Sequence, residues 1–287
     1  MKISFLDFWD GFDAENNFLI DLIRSFKYDV YISEPHQADL IIFSCFGNSN
    51  KQFNHCKKIF YTGENLRPNF NDCDYSLTFD FDDYDGKNIR LPLWLMQIDF
   101  FNKKSYGNPK FLINLKTLLD NEENPYSKIK KENFCVIVNN HLGNKREEIL
   151  RCLIKNKHKQ VNGYGKIFNN WFYGEDTKLD ILSKFKFNIC FENSIHSGYY
   201  TEKLIHAKAA FTIPVYYSDS NIEKDFNKNS FLNLNDYESM EHFCDRILEI
   251  DSNESLYKDI VEQPLFNKPD HAIQLLSDIS YKISKIL

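Results

Sequence analysis

Apolar and polar positions in the first third of the chain alternate between short hydrophobic runs and a pattern of helical period. Residues 3–8, 39–46, 58–61 and 74–79 are apolar runs of strand length, and 15–26 carries its apolar residues on one helix face. A further run, 89–96, is interrupted by Pro92, which cannot donate to a sheet ladder. Polar stretches at 102–109 and 120–132 separate this part from a second series. There the pattern predicts strands over 134–138, 187–191, 212–217 and 231–234, and helices over 145–155, 178–185 and 202–210. Two helices, 236–250 and 270–286, close the chain. Strands alternating with helices imply βα units on parallel sheets, and two such series with a polar join imply two doubly wound α/β domains.

Composition narrows the function classes. At 287 residues with 43% hydrophobic content the chain can bury a sizeable core, and its net charge of −6 argues against a general nucleic-acid binder. The seven cysteines are odd in number and scattered, with no C-x-x-C pair, so they read as reduced thiols rather than disulfides or a zinc site. The first eight residues read as a strand interrupted by an acid rather than a signal peptide, and no run reaches the length of a membrane-spanning helix.

The densest chemistry lies in residues 191–203, Phe-Glu-Asn-Ser-Ile-His-Ser-Gly-Tyr-Tyr-Thr-Glu-Lys. Two carboxylates, an amide, hydroxyls and an ammonium sit between a predicted strand end and a helix start, where open α/β sheets bind ligands. Glu202 suits a helix N-terminus. Lys203 does not, so the local pattern leaves it in want of an anion. Glu64 follows the 58–61 run directly, beside Gly63, and is well placed for a general base. Arg146, in Lys-Arg-Glu-Glu, reads on its own as a solvated helix arginine. Trp9 follows the first strand and is equally a core side chain or a platform for a sugar face. The run 80–85 contains Asp-x-Asp, a pattern able to hold a hard cation, but its turn-rich setting reads as a solvated acidic loop. His196 belongs to no histidine pair, and Gly163-Tyr164-Gly165 lacks the third glycine of a dinucleotide fingerprint.

Residues 191–203 together with Thr212-Ile213-Pro214-Val215-Tyr216-Tyr217 and the Phe226-Asn227…Ser230-Phe231…Asn233 pattern resemble the donor-binding region of glycosyltransferase family 10, the α-1,3/4-fucosyltransferases. The sequence departs from that pattern at Tyr217-Ser218-Asp219-Ser220, where the family usually has Trp-Gly-x-Pro. The resemblance implies a GT-B arrangement of two Rossmann-like domains facing a cleft. Residues 1–125 would bind the acceptor and 126–265 GDP-fucose, with the helix in 266–287 packing back on the first domain. It implies inverting transfer of L-fucose from GDP-fucose to an N-acetylglucosamine-containing oligosaccharide or lipopolysaccharide of lactosamine or Lewis type, α-1,3 rather than α-1,4, with no obligatory metal.

In that reading Glu64 is the base, and the Y-T-G-E-N segment around it is similar to the one that carries the base in bacterial members. Arg146 and Lys203 hold the diphosphate and Glu202 the ribose. Asn193 and Tyr199 line the donor pocket, Glu192 shapes its loop, the 163–165 glycines border it, and Trp9 meets the acceptor. Membrane-anchored eukaryotic relatives contrast with the anchor-free pattern here, which implies a bacterial, cytoplasmic enzyme with peripheral membrane association left open. The alternatives are a metal-dependent transferase of another donor, using the 80–85 carboxylates, and a non-catalytic glycan- or nucleotide-binding module.

Overall fold

A computed structural model describes residues 1–27, 29–143, 145–155, 160–171 and 177–287. The chain divides into two compact units, Met1–Leu112 with Ala272–Leu287, and Ile113–His271.

The first unit is built on six strands: β1 (Lys2–Leu6), β2 (Tyr31–Ile32), β3 (Leu40–Phe43), β4 (Lys57–Tyr61), β5 (Tyr75–Thr78) and β6 (Asn88–Arg90). Every pairing is parallel, in the order β2-β1-β3-β4-β5-β6. Parallel strands are covered on both faces, which is why β3 reads Leu-Ile-Ile-Phe with all four residues buried. Helix α1 (Phe18–Arg24) starts where the Asn17 side chain accepts the Ile20 amide. Its buried Asp21 is held by the Tyr106 hydroxyl at 2.9 Å and the Lys103 ammonium at 3.1 Å. Pro92 ends the last apolar run as a strand, and Leu93–Gln97 continues as a 3₁₀ turn.

The second unit contains α2 (Leu115–Leu119), β7 (Asn133–Val138), α3 (Arg146–Lys155), β8 (Val161–Tyr164), α4 (Lys178–Leu182), β9 (Phe185–Ile189), α5 (Glu202–Ala209), β10 (Ile213–Tyr216), β11 (Leu232–Asn233), α6 (Met240–Ser252) and α7 (Glu254–Val261). Its parallel sheet runs β11-β10-β9-β7-β8. The last helix, α8 (His271–Ile286), returns to the first unit, where Lys57 of β4 donates to the Ile286 carbonyl. Among the described residues no helix is long and apolar enough to cross a membrane.

Several elements differ from the sequence pattern. The helix expected over 178–185 stops at Leu182, and Phe185 already pairs in β9. The helix expected from residue 236 begins at Met240, because Ser239 caps it by accepting the His242 amide. Helix α7 follows α6 after the single residue Asn253, whose side chain accepts from Ser255 and Leu256. The join between units falls at 112/113 rather than 125/126. Residues beyond it already belong to the second unit, since Asn124 donates to Thr117 in α2 and Ala209 in α5.

Both sheets reverse direction next to their first strand, between β1 and β3 in one and between β7 and β9 in the other. The connections on either side of such a point diverge and leave a crevice beyond the strand C-termini, where doubly wound sheets take their ligands. Trp9 lies in the loop after β1, Arg146 at the end of the loop after β7, and Glu192 with Asn193 in the loop after β9.

Candidate functional site

At the reversal point of the second unit, Arg146 spans the crevice. Its guanidinium donates to the carbonyls of His141 (3.0 Å) and Phe191 (2.6 Å) and to the Asn193 side chain (2.8 Å). The residue is only 1% exposed, so it is not the solvated arginine that its charged neighbours suggest. Burial lowers its pKa, partly offset by Glu192. Its buried Nε has no hydrogen-bond partner among the described residues. Gly165, at the end of β8, approaches the same loop. Its φ is +109° and a Cβ there would lie 2.3 Å from the Asn139 carbonyl oxygen, so no side chain is tolerated without moving the main chain.

The loop between β9 and α5 closes on Glu192, which is fully buried. Its carboxylate accepts from the Thr201 amide (2.8 Å) and hydroxyl (2.8 and 2.9 Å), the Tyr216 hydroxyl (2.5 Å) and the Lys203 ammonium (2.9 Å). A charge so far from water persists only when paired and hydrogen-bonded throughout. Lys203 also lies 3.4 Å from Glu202. The apparent want of a partner for Lys203 is therefore met within the protein, by a carboxylate eleven positions upstream that the helix pattern does not reveal. Burial works against its ammonium form, but Glu192 and Glu202 outweigh it and raise its pKa. Burial likewise acts against the Glu202 carboxylate, yet Lys203 and Lys178 hold its pKa far below the ordinary carboxylate value. His206, one turn further along α5, is kept neutral by burial and by Lys178. Arg146, Lys178 and Lys203 thus stand beside the two carboxylates Glu192 and Glu202.

A clasp fixes the far side of the loop. The Tyr200 hydroxyl donates to Asp219 at 2.6 Å, and Asn221 donates to Asp219 (3.1 Å) and to the Ser197 hydroxyl (2.8 Å). The stretch that departs from the family pattern thus anchors the loop through its own carboxylate. Tyr217 packs on Phe191 at 5.7 Å, with Lys145 over its ring at 5.6 Å. Tyr199 is buried, whereas Asn193 and His196 are exposed.

In the first unit, Glu64 is exposed in the loop after β4. Its amide donates to the buried Thr62 hydroxyl at 2.9 Å, and its carbonyl accepts the Leu66 amide at 2.7 Å. Trp9 is half-buried in an aromatic group, 5.1 Å from Phe12 and 6.4 Å from the exposed Phe46. It lines an apolar cavity with Phe8, Tyr61, Met96 and Tyr106. The 80–85 run is not uniformly solvated. Asp80 is 3% exposed, 3.3 Å from Arg67 and 3.1 Å from the Tyr84 hydroxyl that donates to it.

Residues 3–97 match the alpha-(1,3)-fucosyltransferase FucT N-terminal domain, and residues 126–262 match the C-terminal domain of glycosyltransferase family 10 (fucosyltransferase). This chain belongs to glycosyltransferase family 10. It is 28% identical to the alpha-(1,3)-fucosyltransferase FucT of Helicobacter pylori over 98% of its own length, and spans 64% of that protein. Over 34% of its length it is 35% identical to 4-galactosyl-N-acetylglucosaminide 3-alpha-L-fucosyltransferase 9 of Cricetulus griseus, of which it spans 28%. A crystal structure of an alpha1,3-fucosyltransferase with GDP-fucose superposes with a TM-score of 0.76 at 26% identity, covering 99% of this chain and 89% of the other. The fold is accordingly of GT-B type, two Rossmann-like units each built on a parallel sheet.

Within the family-10 chain, the structure gathers Arg146, Asn193, Glu192, Glu202 and Lys203 in one unit and holds Glu64 and Trp9 in the other. Lys178, Thr201 and Tyr216 escaped the sequence reading. Thr201 sits inside the densest segment and its N-terminal position on α5 was a usable signal, but nothing local marks Lys178 or Tyr216 as partners of Glu202 and Glu192.

Proposed function

We infer that this chain is an inverting fucosyltransferase that moves L-fucose from GDP-fucose to a hydroxyl of an N-acetylglucosamine-containing glycan of lactosamine type, on an oligosaccharide or lipopolysaccharide. The carrying observation is the buried Glu192 with its lysine and hydroxyl partners, inside the segment that matches the family-10 domain. It presets the loop between β9 and α5 next to Arg146. The crystallised relative with GDP-fucose supports the donor. The 4-galactosyl-N-acetylglucosaminide 3-alpha-L-fucosyltransferase relative supports a lactosamine acceptor and α-1,3 rather than α-1,4 linkage.

In this reading Glu64 takes the proton of the acceptor hydroxyl while that oxygen bonds to C1 of fucose. The C1–phosphate oxygen bond breaks on the opposite face, so a β-linked donor becomes an α-linked product. The leaving diphosphate gains negative charge, and Arg146 with Lys203 stabilises it where water is scarce. A divalent cation is not required, because fixed cations are already in position. Glu202 meets the ribose, Asn193 and Tyr199 line the pocket, and Trp9 stacks on the acceptor. In this reading the reaction takes place in the cytoplasm.

Incubation with a panel of labelled nucleotide sugars and lactose- or lactosamine-type acceptors, with the linkage read by NMR, tests this function. Consumption of GDP-fucose and an α-1,3 product in the presence of EDTA is expected. Preference for another nucleotide sugar, or magnesium-reversible loss of all transfer in chelator, would overturn it.

A further inference from the structure

The acidic run 80–85 contributes a side chain that the proposed reaction leaves without a role. Asp80 lies just past β5, next to β4 in the sheet, and is buried although it is a carboxylate. Its Oδ2 accepts from the Tyr84 hydroxyl (3.1 Å) and the Thr78 hydroxyl (3.5 Å) and lies 3.3 Å from Arg67 Nε. Arg67 sits three residues after Glu64. Its guanidinium lies over Phe79, with Cζ 5.0 Å from the ring centroid. With its remaining nitrogens it donates to the Leu66 carbonyl (2.9 Å) and the Asn65 side-chain oxygen (3.1 Å). Leu66 in turn donates its amide to the Glu64 carbonyl, and Thr62 receives the Glu64 amide. Each link from the buried carboxylate to the Glu64 backbone is thus a hydrogen bond or an ion pair, and all lie within one unit.

We propose that Arg67 and Asp80 are positioning residues that hold the Glu64 loop in the geometry needed for proton abstraction. The inference rests on Glu64 being the base. Chemistry favours this reading of the network. A planar guanidinium reaches a carboxylate, a carbonyl and an amide oxygen at once, which a lysine cannot do. An exposed loop that carries a base needs such restraint, because a misplacement of about 1 Å can cost on the order of 10²-fold in rate. The Asp80 carboxylate serves as the fixed end of the brace.

The test is a double-mutant cycle on the full chain, reading kcat and acceptor KM for transfer, GDP affinity by calorimetry and the thermal midpoint. Arg67→Lys and Asp80→Asn preserve charge or shape. Each is expected to lower kcat by roughly 10-fold or more, with GDP affinity unchanged because that site is on the other unit. On a Glu64→Gln background, which alone should lose about 10²-fold or more, the same substitutions should cost nothing further. A loss from Arg67→Lys that persists at full size beside Glu64→Gln would mean that the brace acts generally on the fold, and would overturn the proposal. So would normal kcat in Arg67→Lys and Asp80→Asn proteins while Glu64→Gln is impaired. If Glu64→Gln itself turns over normally, the base assignment fails and the brace falls with it, an outcome distinct from the other two.

Discussion

Lys203 shows how much a residue's meaning depends on partners that are distant in sequence. Its ammonium neutralises Glu192 and Glu202 before any ligand arrives, while Arg146 keeps a buried nitrogen with no hydrogen bond among the described residues. Removing either cation should therefore cost stability as well as affinity. Arg146→Ala is expected to weaken GDP binding by about 1.5–3 kcal/mol, the scale of charged hydrogen bonds, with a loss of stability because the His141 and Phe191 carbonyls lose their donor. Lys203→Ala should do so and also destabilise the unit by about 3–5 kcal/mol, because it strands the buried Glu192 carboxylate. Calorimetry beside denaturant unfolding separates the two effects. The same network sets an acid limit. Despite burial, Lys203 and Lys178 keep the folded Glu202 carboxyl well below the ordinary value of 4.5. The unfolded chain takes up this proton near 4.5, so the network's stabilisation is complete above that pH and is lost as pH falls toward the folded pKa. Thermal midpoints should drop below about pH 4.5 in the wild-type chain, and Glu202→Gln should flatten that drop.

At the scale of elements, the strand–loop–helix order around 185–210 was legible because a short apolar run is followed by a polar stretch and then by a helix start with an acid in its first turn. Strand β8, Val-Asn-Gly-Tyr, was not. All four of its residues are only half-buried and one is glycine, so no alternation marks it. It exists because β7 offers it a free edge and because Gly163 within it and Gly165 just after it allow close approach. A Cβ at Gly163 would strike Phe168 at 2.2 Å, and one at Gly165 the Asn139 carbonyl. Gly165→Ala is accordingly expected to cost about 1–3 kcal/mol in strain and to shift the loop that leads into Arg146. A lowered unfolding midpoint together with weaker GDP binding is the expected signature, and an unaffected GDP affinity would separate this loop from the donor site.

For the whole molecule, the return of α8 to the first unit is implied by the family resemblance but by no local pattern in the chain. Ile279 and Ile283 are buried, and Lys57 donates to the Ile286 carbonyl, more than two hundred residues away in sequence. Truncation before Ala272 should destabilise the first unit. In hydrogen exchange, faster exchange of β3 and β4 amides than in the full chain would show it. By itself, the order of apolar runs determined the α/β class and the two series of βα units, because burial on both faces of a parallel sheet imposes that pattern on every strand. The dense segment 191–203 likewise stood out as a polar loop between a strand end and a helix start. Which charges neutralise which, the burial of Asp80 and Arg146, the anchoring of the loop by Asp219, and the reversal points that collect Arg146 with Asn193 were decided only by the tertiary structure. These depend on pairings between segments far apart in sequence, and local periodicity carries no information about which distant carboxylate will meet a given cation when water is removed.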